Sequence, residues 1–133
     1  MSLQRTYKLS YYGNLLVARA AVGGTENIVR KVRLLVDTGS SYTVLRVNLL
    51  KALGCDVQNP LRRMRIPTPG GIVETPVVKV PWFSCLGQRV DNFTTVAHDL
   101  PAITFTDGLL GIDFLKRFGT VIFVKEAEIR FSQ

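Results

Sequence analysis

A chain of 133 residues is the size of one domain and too short for two full lobes. Hydrophobic residues make up 47% and charged residues 20%, which excludes a disordered chain, and no apolar run is long enough to span a bilayer. The formal charge is +7, yet the cations are scattered apart from a short cluster at Arg62, Arg63 and Arg65, with no basic run of the kind that marks a nucleic-acid arm, so no nucleic-acid partner is expected and the basic surface reads as solvated.

The first three residues, Met1-Ser2-Leu3, are given no structural weight. No charged start followed by an apolar secretory stretch opens the chain, so a cytoplasmic protein without a membrane segment is the expectation. "NLLVARAAV", "GGTEN" and "VRKVRLLVD" then read as a hairpin whose second strand ends on Asp37. After Asp37-Thr38-Gly39-Ser40 comes "YTVL", a strand, and "RVNLLKALG", where Val47, Leu50 and Leu53 recur at helical spacing before Gly54.

"RRMRIPTPGGIVETPVVKV" predicts a projecting hairpin with its tip at Thr68-Pro69-Gly70-Gly71, because Pro sets the turn entry and Gly permits positive φ. Pro76 and Pro81 cannot donate to a ladder, which places the return strand along an edge or an exposed flap. "WFSCLGQRVDNFTTVAHDL" continues as a second hairpin turning at Leu86-Gly87-Gln88, with Trp82, Phe83 and Phe93 as core or interface side chains. "DGLLGIDFLKRFG" predicts a strand running into a short helix capped by Asp113, with Phe114, Leu115 and Phe118 on one face. "TVIFV", "KEAE" and "IRFS" finish the chain as a hairpin, so residues 1–133 read as a single, mainly β domain with two short helices.

Cys55 and Cys85 are far apart and in no C-x-x-C arrangement, which indicates reduced thiols and neither a disulfide framework nor a zinc site; no metal or cofactor is called for. Asp37 is the residue that needs explaining. An ionised carboxylate at the end of the aliphatic run "LLV" is expensive unless it is hydrogen-bonded or paired, so it marks either a turn in which Asp bonds the backbone two residues on or a reaction.

"LLVDTGSSYTVL" and "LLGIDFL", in that order and with a flap-like hairpin between them, resemble the retropepsin-like aspartic proteases, the single-lobe relatives of pepsin. The resemblance covers roughly residues 14 to 124, clearly at the two motifs and by pattern between them. It implies a closed or curled antiparallel β barrel of the acid-protease type, one lobe per chain, acting as a homodimer on polypeptide in extended conformation. By position it implies Asp37 as the catalytic aspartate, Thr38 as the residue whose hydroxyl bonds across to the partner subunit's backbone, and Gly39 as the glycine that lets substrate backbone come close. Ser40 matches the position that hydrogen-bonds the catalytic carboxylate; Val44, Leu109 and Leu110 match hydrophobic residues beside the site, with Leu109 the better pocket wall, and Pro69, Gly70 and Gly71 form the flap tip. Retroviral members form an ion pair between positions that here hold Ser41 and Ile112, so both partners are missing together.

The chemistry of the residues agrees with the resemblance. Peptide hydrolysis by carboxyls needs one ionised group to take a proton from water and one protonated group to bond the carbonyl, a division that two carboxyls in contact provide. No second Asp-Thr-Gly or Asp-Ser-Gly exists here, so the partner has to come from a second copy. A serine hydrolase would want a Gly-x-Ser-x-Gly elbow and a histidine, and the lone His98, read as a surface or loop residue, sits beside none. The alternative to an aspartic endopeptidase is a non-catalytic homodimeric module of the same fold that binds extended peptides without cutting them.

Overall fold

The computed structural model describes residues 4–101 and 105–132, so residues 1–3 of the sequence reading lie outside the described residues. Two N-terminal strands, β1 (Gln4–Lys8) and β2 (Ser10–Tyr12), precede the first hairpin. The sequence reading missed both, because their residues are almost all exposed and carry no apolar alternation; they exist through their partners.

The hairpin of β3 (Leu15–Gly23) and β4 (Val29–Val36) forms as read, with Val17 opposite Leu35 and Gly23 opposite Val29. Ala18, Ala20 and Val22 alternate inward with Val32 and Leu34 facing them, and these five make one wall of the main core. The "YTVL" strand shortens to β5 (Val44–Leu45), because Tyr42 and Thr43 belong to the loop that carries the acid. Helix α1 (Val47–Ala52) follows, turning Leu50 into the core.

The flap hairpin consists of β6 (Arg62–Thr68) and β7 (Gly71–Cys85), paired from Arg62–Val77 to Thr68–Gly71. The return strand meets the expectation of an exposed flap as far as Pro76, where it pairs with β6 alone, and departs from it beyond: from Val77 it pairs with β8 (Gln88–Ala97) and, beyond Pro81, also with β3, and the edge strand on this side of the sheet is β6. Its prolines are tolerated for a local reason: pairing with β8 reaches only to Val77 and pairing with β3 only to Trp82, so Pro76 has a neighbour on one side alone, and the β8 ladder skips Pro81.

β9 (Gly108–Leu110) lies between β4 and β5, parallel to β4 and antiparallel to β5, and β5 runs parallel to β8. With β3 bonded to β7, the order β3-β4-β9-β5-β8-β7 closes on itself, giving the barrel implied by the resemblance with two parallel pairings beside the acid. A closed sheet leaves no unpaired edge around its girth. Phe83 stacks on Phe93 with centroids 4.7 Å apart, and Phe114 of helix α2 (Ile112–Leu115) meets Phe83 edge-on at 5.3 Å. From Phe114 the ring contacts continue through Phe118 to Phe131 and Tyr7.

That chain of rings ties the barrel to a second sheet, in which β11 (Glu128–Ser132) runs between β1 and β10 (Val121–Phe123). On it Glu128 takes a hydrogen bond from Lys8 at 3.1 Å and lies 3.2 Å from Arg130. Cys85 is buried, its thiol pushed up to about 12 by that burial, whereas Cys55 is half-buried and packs against the core.

The hydrogen bond from Lys8, with Arg130 beside it, holds the Glu128 carboxyl below the ordinary glutamate range. Its stabilising contribution is therefore complete above that range and is lost as pH falls through the lowered folded-state value. Glu128→Gln should lower the melting temperature at neutral pH, with the gap to wild type closing in acid; an equal gap at both pH values in thermal denaturation would contradict this.

Candidate active site

Asp37 stands just past the C-terminal end of β4, where its backbone N–H donates to the Leu110 carbonyl at 3.1 Å and so continues the parallel β4–β9 ladder by one rung. The chain then turns: Ser40 N–H donates to the Asp37 carbonyl at 3.1 Å, and Gly39 N–H donates to Asp37 Oδ1 at 3.0 Å. Asp37 is half-buried, and Oδ2 accepts no hydrogen bond among the described residues. One oxygen is fixed and the other left available. A Cβ on Gly39 would lie 3.2 Å from Oδ1, so a glycine there keeps the approach to the carboxyl open.

The loop from Thr38 to Thr43 is held against the start of α2 by hydrogen bonds in both directions. Ile112 and Asp113 donate their N–H groups to the carbonyls of Ser40 and Ser41 at 2.8 and 3.3 Å, which supplies acceptors for the helix's free N-terminal donors. Asp113 does not hold the N-cap position, yet from the first turn its Oδ1 accepts the helix's Phe114 N–H at 2.8 Å. Gly111 is the N-cap and bonds through its backbone, while Asp113 Oδ1 accepts the buried Thr43 hydroxyl at 2.8 Å. The same Thr43 hydroxyl oxygen accepts Gly111 N–H at 3.1 Å. Two glycines make this crossing possible: a Cβ at Gly111 would lie 2.4 Å from the Tyr42 carbonyl carbon, and one at Gly108 would lie 1.9 Å from the Val44 carbonyl oxygen.

In front of the loop lies a cavity of about 370 Å³, lined by Gly39, Ser40, Ser41, Tyr42, Val44 and Val96 from the barrel and by Met64, Arg65, Ile66 and Pro67 from the flap. Met64, Ile66 and Leu109 pack on a small cluster of Val44, Val77 and Val96; Val44 lines the cavity, and Leu109 packs on that cluster without lining it. Leu110 does neither. It is fully buried in the main core and meets the site only through its carbonyl.

Pro69, Gly70 and Gly71 are exposed at the hairpin tip and do not line this cavity, whose roof is the flap stem. The Ser40 hydroxyl donates to the Tyr42 carbonyl at 2.7 Å instead of to the acid, because the turn points it down the loop. Thr38 is exposed, with no hydrogen bond from its hydroxyl among the described residues, and it borders a shallow cleft with Ile112, Leu115 and Ile122. His98 lies in the loop after β8.

The five other aspartates are occupied elsewhere: Asp56 on Gln58 and Asn59, Asp91 on Arg89, Asp99 on the Val47 N–H, Asp107 on the Arg33 N–H and Asp113 on Thr43. None of them is hydrogen-bonded to Asp37, and no group of three metal-binding side chains occurs among the described residues. Thr43 and Asp113 are the positioning residues that sequence reasoning missed. Their pairing had no local signal, since they are 70 positions apart.

Thr43→Val removes both the donor to Asp113 and the acceptor for Gly111 N–H and should destabilise the protein by about 1–3 kcal/mol. Asp113→Asn, which keeps an acceptor oxygen, should cost less. Equal stability of Thr43→Val and wild type in denaturant titration would show that the crossing does not depend on this side chain.

A family model described as Aspartyl protease matches residues 18–114, a span that runs from β3 to Phe114 and contains the first motif, the flap and all of the second motif but its last residue. Among solved structures, the fold matches a retropepsin-like aspartic protease from Rickettsia conorii with a TM-score of 0.72 and 20% identity, covering 99% of this chain and 93% of that one. Comparison with curated proteins gives no match. With the acid at a barrel strand's end, the crossed glycines and the flap over the cleft all inside the matched span, the chain belongs to the aspartyl protease family and has the retropepsin-like fold.

Proposed function

We propose that the protein is an aspartic endopeptidase that works as a homodimer, with the Asp37 carboxyls of two copies sharing a proton at the two-fold axis. The observation that carries this reading is the state of Asp37: held by one oxygen, open at the other, two residues before the cleft-lining Gly39, with every other aspartate engaged elsewhere. One carboxylate takes a proton from water, which attacks the peptide carbonyl. The protonated partner hydrogen-bonds the carbonyl oxygen and donates as charge develops there, and the proton gained from water then goes to the leaving nitrogen. Val44, Ile66, Met64 and Val96 offer apolar contact to the side chains of an extended substrate.

Dimerisation is supported by what the single chain leaves open. Thr38 points a free hydroxyl outward, and β10 is an edge strand with Val121 and Val124 exposed. The residues beyond the terminal strand used by retroviral relatives form β11, which pairs within the chain between β10 and β1, so pairing details differ from a terminus that ends at "TVIFV".

Asp37→Asn should lower the rate at least about a thousandfold while keeping fold, dimer and peptide binding. Equal rates for the two proteins on one peptide would reduce Asp37 to a turn residue. A shared proton also implies a bell-shaped rate profile with its optimum at about pH 3 to 6, and activity rising steadily to about pH 9 would indicate another nucleophile. Sedimentation should show a concentration-dependent dimer; full activity from a species that stays monomeric would overturn the paired-acid mechanism.

A further inference from the structure

Arg62, Arg63 and Arg65 have no role in the chemistry above, and the fold places all three on β6, the open edge of the flap. All are exposed. Side chains alternate along a strand, so Arg62 continues the row of Met64 and Ile66 that packs at the cleft, while Arg63 and Arg65 stand on the other row, from which Arg65 still borders the cavity. The flap's single acid is Glu74, across from Arg65, and no ion pair forms on the hairpin among the described residues. Arg63 makes only a 3.5 Å contact with the Gln58 carbonyl. The edge strand of the flap thus carries three arginines, with one carboxylate, Glu74, on the strand beside it, and the proposed homodimer has two such flaps.

We propose that this cluster makes the flap a selector for acidic polypeptide: a segment with apolar residues at the cleaved bond and Asp or Glu on the flanks. The proposal rests on the aspartic-protease reading and names its substrate class. Val44, Met64, Ile66 and Val96 give the cleft an apolar surface, and the charged side chain lining it is the flap's Arg65, so selection by charge falls to the flap. Arginine stays charged across the acid range, and exposed charges of one sign raise the encounter rate of the opposite sign and suppress that of their own. A nucleic acid is the less suited anion, because neither β6 nor β7 before Trp82 carries an aromatic ring on which a base could stack.

The test uses three peptides with one apolar core and Glu, Gln or Lys flanks, at about pH 5.5, where glutamate is largely ionised. For wild type, kcat/KM should rank Glu over Gln over Lys, with Glu over Lys on the order of tenfold at low ionic strength and approaching parity in high salt. The ratio should collapse in Arg62→Gln/Arg63→Gln/Arg65→Gln, and Arg63→Glu alone, on the outward face, should shrink it. A wild-type ratio near one, or a ratio unchanged in both variants, overturns the proposal.

Binding of the same peptides to Asp37→Asn, followed by fluorescence anisotropy, separates selection from catalysis. If binding ranks by flank charge while wild type cuts nothing, the selector stands and the protease reading falls; if no peptide binds, the selector falls. A single-stranded oligonucleotide of matched charge that binds Asp37→Asn more tightly than the Glu-flanked peptide, and loses that binding in the triple-arginine background, would assign the cluster to nucleic acid instead.

Discussion

The crossing of the Asp37 loop over the start of α2 is the contact on which the rest of the site depends. Thr43 hydroxyl, Asp113 carboxylate and Gly111 N–H form one small network, and the carbonyls of Ser40 and Ser41 receive the helix's first donors. Because these groups satisfy one another, the loop draws on only one oxygen of the Asp37 side chain, the Oδ1 that accepts Gly39 N–H. A family ion pair would do similar work between the positions held here by Ser41 and Ile112; this chain holds the same two segments together by backbone bonds and one hydroxyl–carboxylate contact. Backbone closeness is what makes that sufficient, and it exists only because Gly108 and Gly111 present no Cβ to the opposing carbonyls.

The barrel explains how an acid can sit at such a place. Parallel pairing of β4 with β9 and antiparallel pairing of β9 with β5 bring two strand ends and one strand start to the same rim, so Asp37, Leu109 and Val44 arrive side by side from distant positions. Below the rim, the Phe83, Phe93 and Phe114 rings fill the interior and fix α2. The same aromatic contacts pass through Phe118 and Phe131 to the terminal sheet, so the edge strand β10 is anchored to the core that sets the acid. Packing of this kind transmits position well, since close-packed rings have few alternative arrangements.

One lobe supplies one open carboxyl oxygen, one outward threonine hydroxyl and one flap whose tip reaches past its own cleft. In the proposed homodimer each of these meets its counterpart on a second copy, which gives that reading a physical reason beyond the lack of a second motif. The flap stem carries the cleft's roof through Met64 and Ile66, and its charge stands on Arg62, Arg63 and Arg65, so shape and charge are set by one strand.

Much of this was legible in the chain alone. Apolar alternation along β3 and β4, the helical spacing of Val47, Leu50 and Leu53, and the Pro-Gly tip are local properties, and they emerged as read because local sterics and periodicity act over a few residues. Asp37 was identifiable because a carboxylate after an aliphatic run is costly in any fold. What only the tertiary structure decided were matters of distant contact. The pairing of Thr43 with Asp113, the turn of the Ser40 hydroxyl toward Tyr42, the burial of Leu110 in place of a pocket position, the inner place of β7 and the existence of β1 and β2 all depend on partners far along the chain. Hydrogen bonds and strand pairing are satisfied by whichever group arrives, and a sequence read locally does not show which group that is.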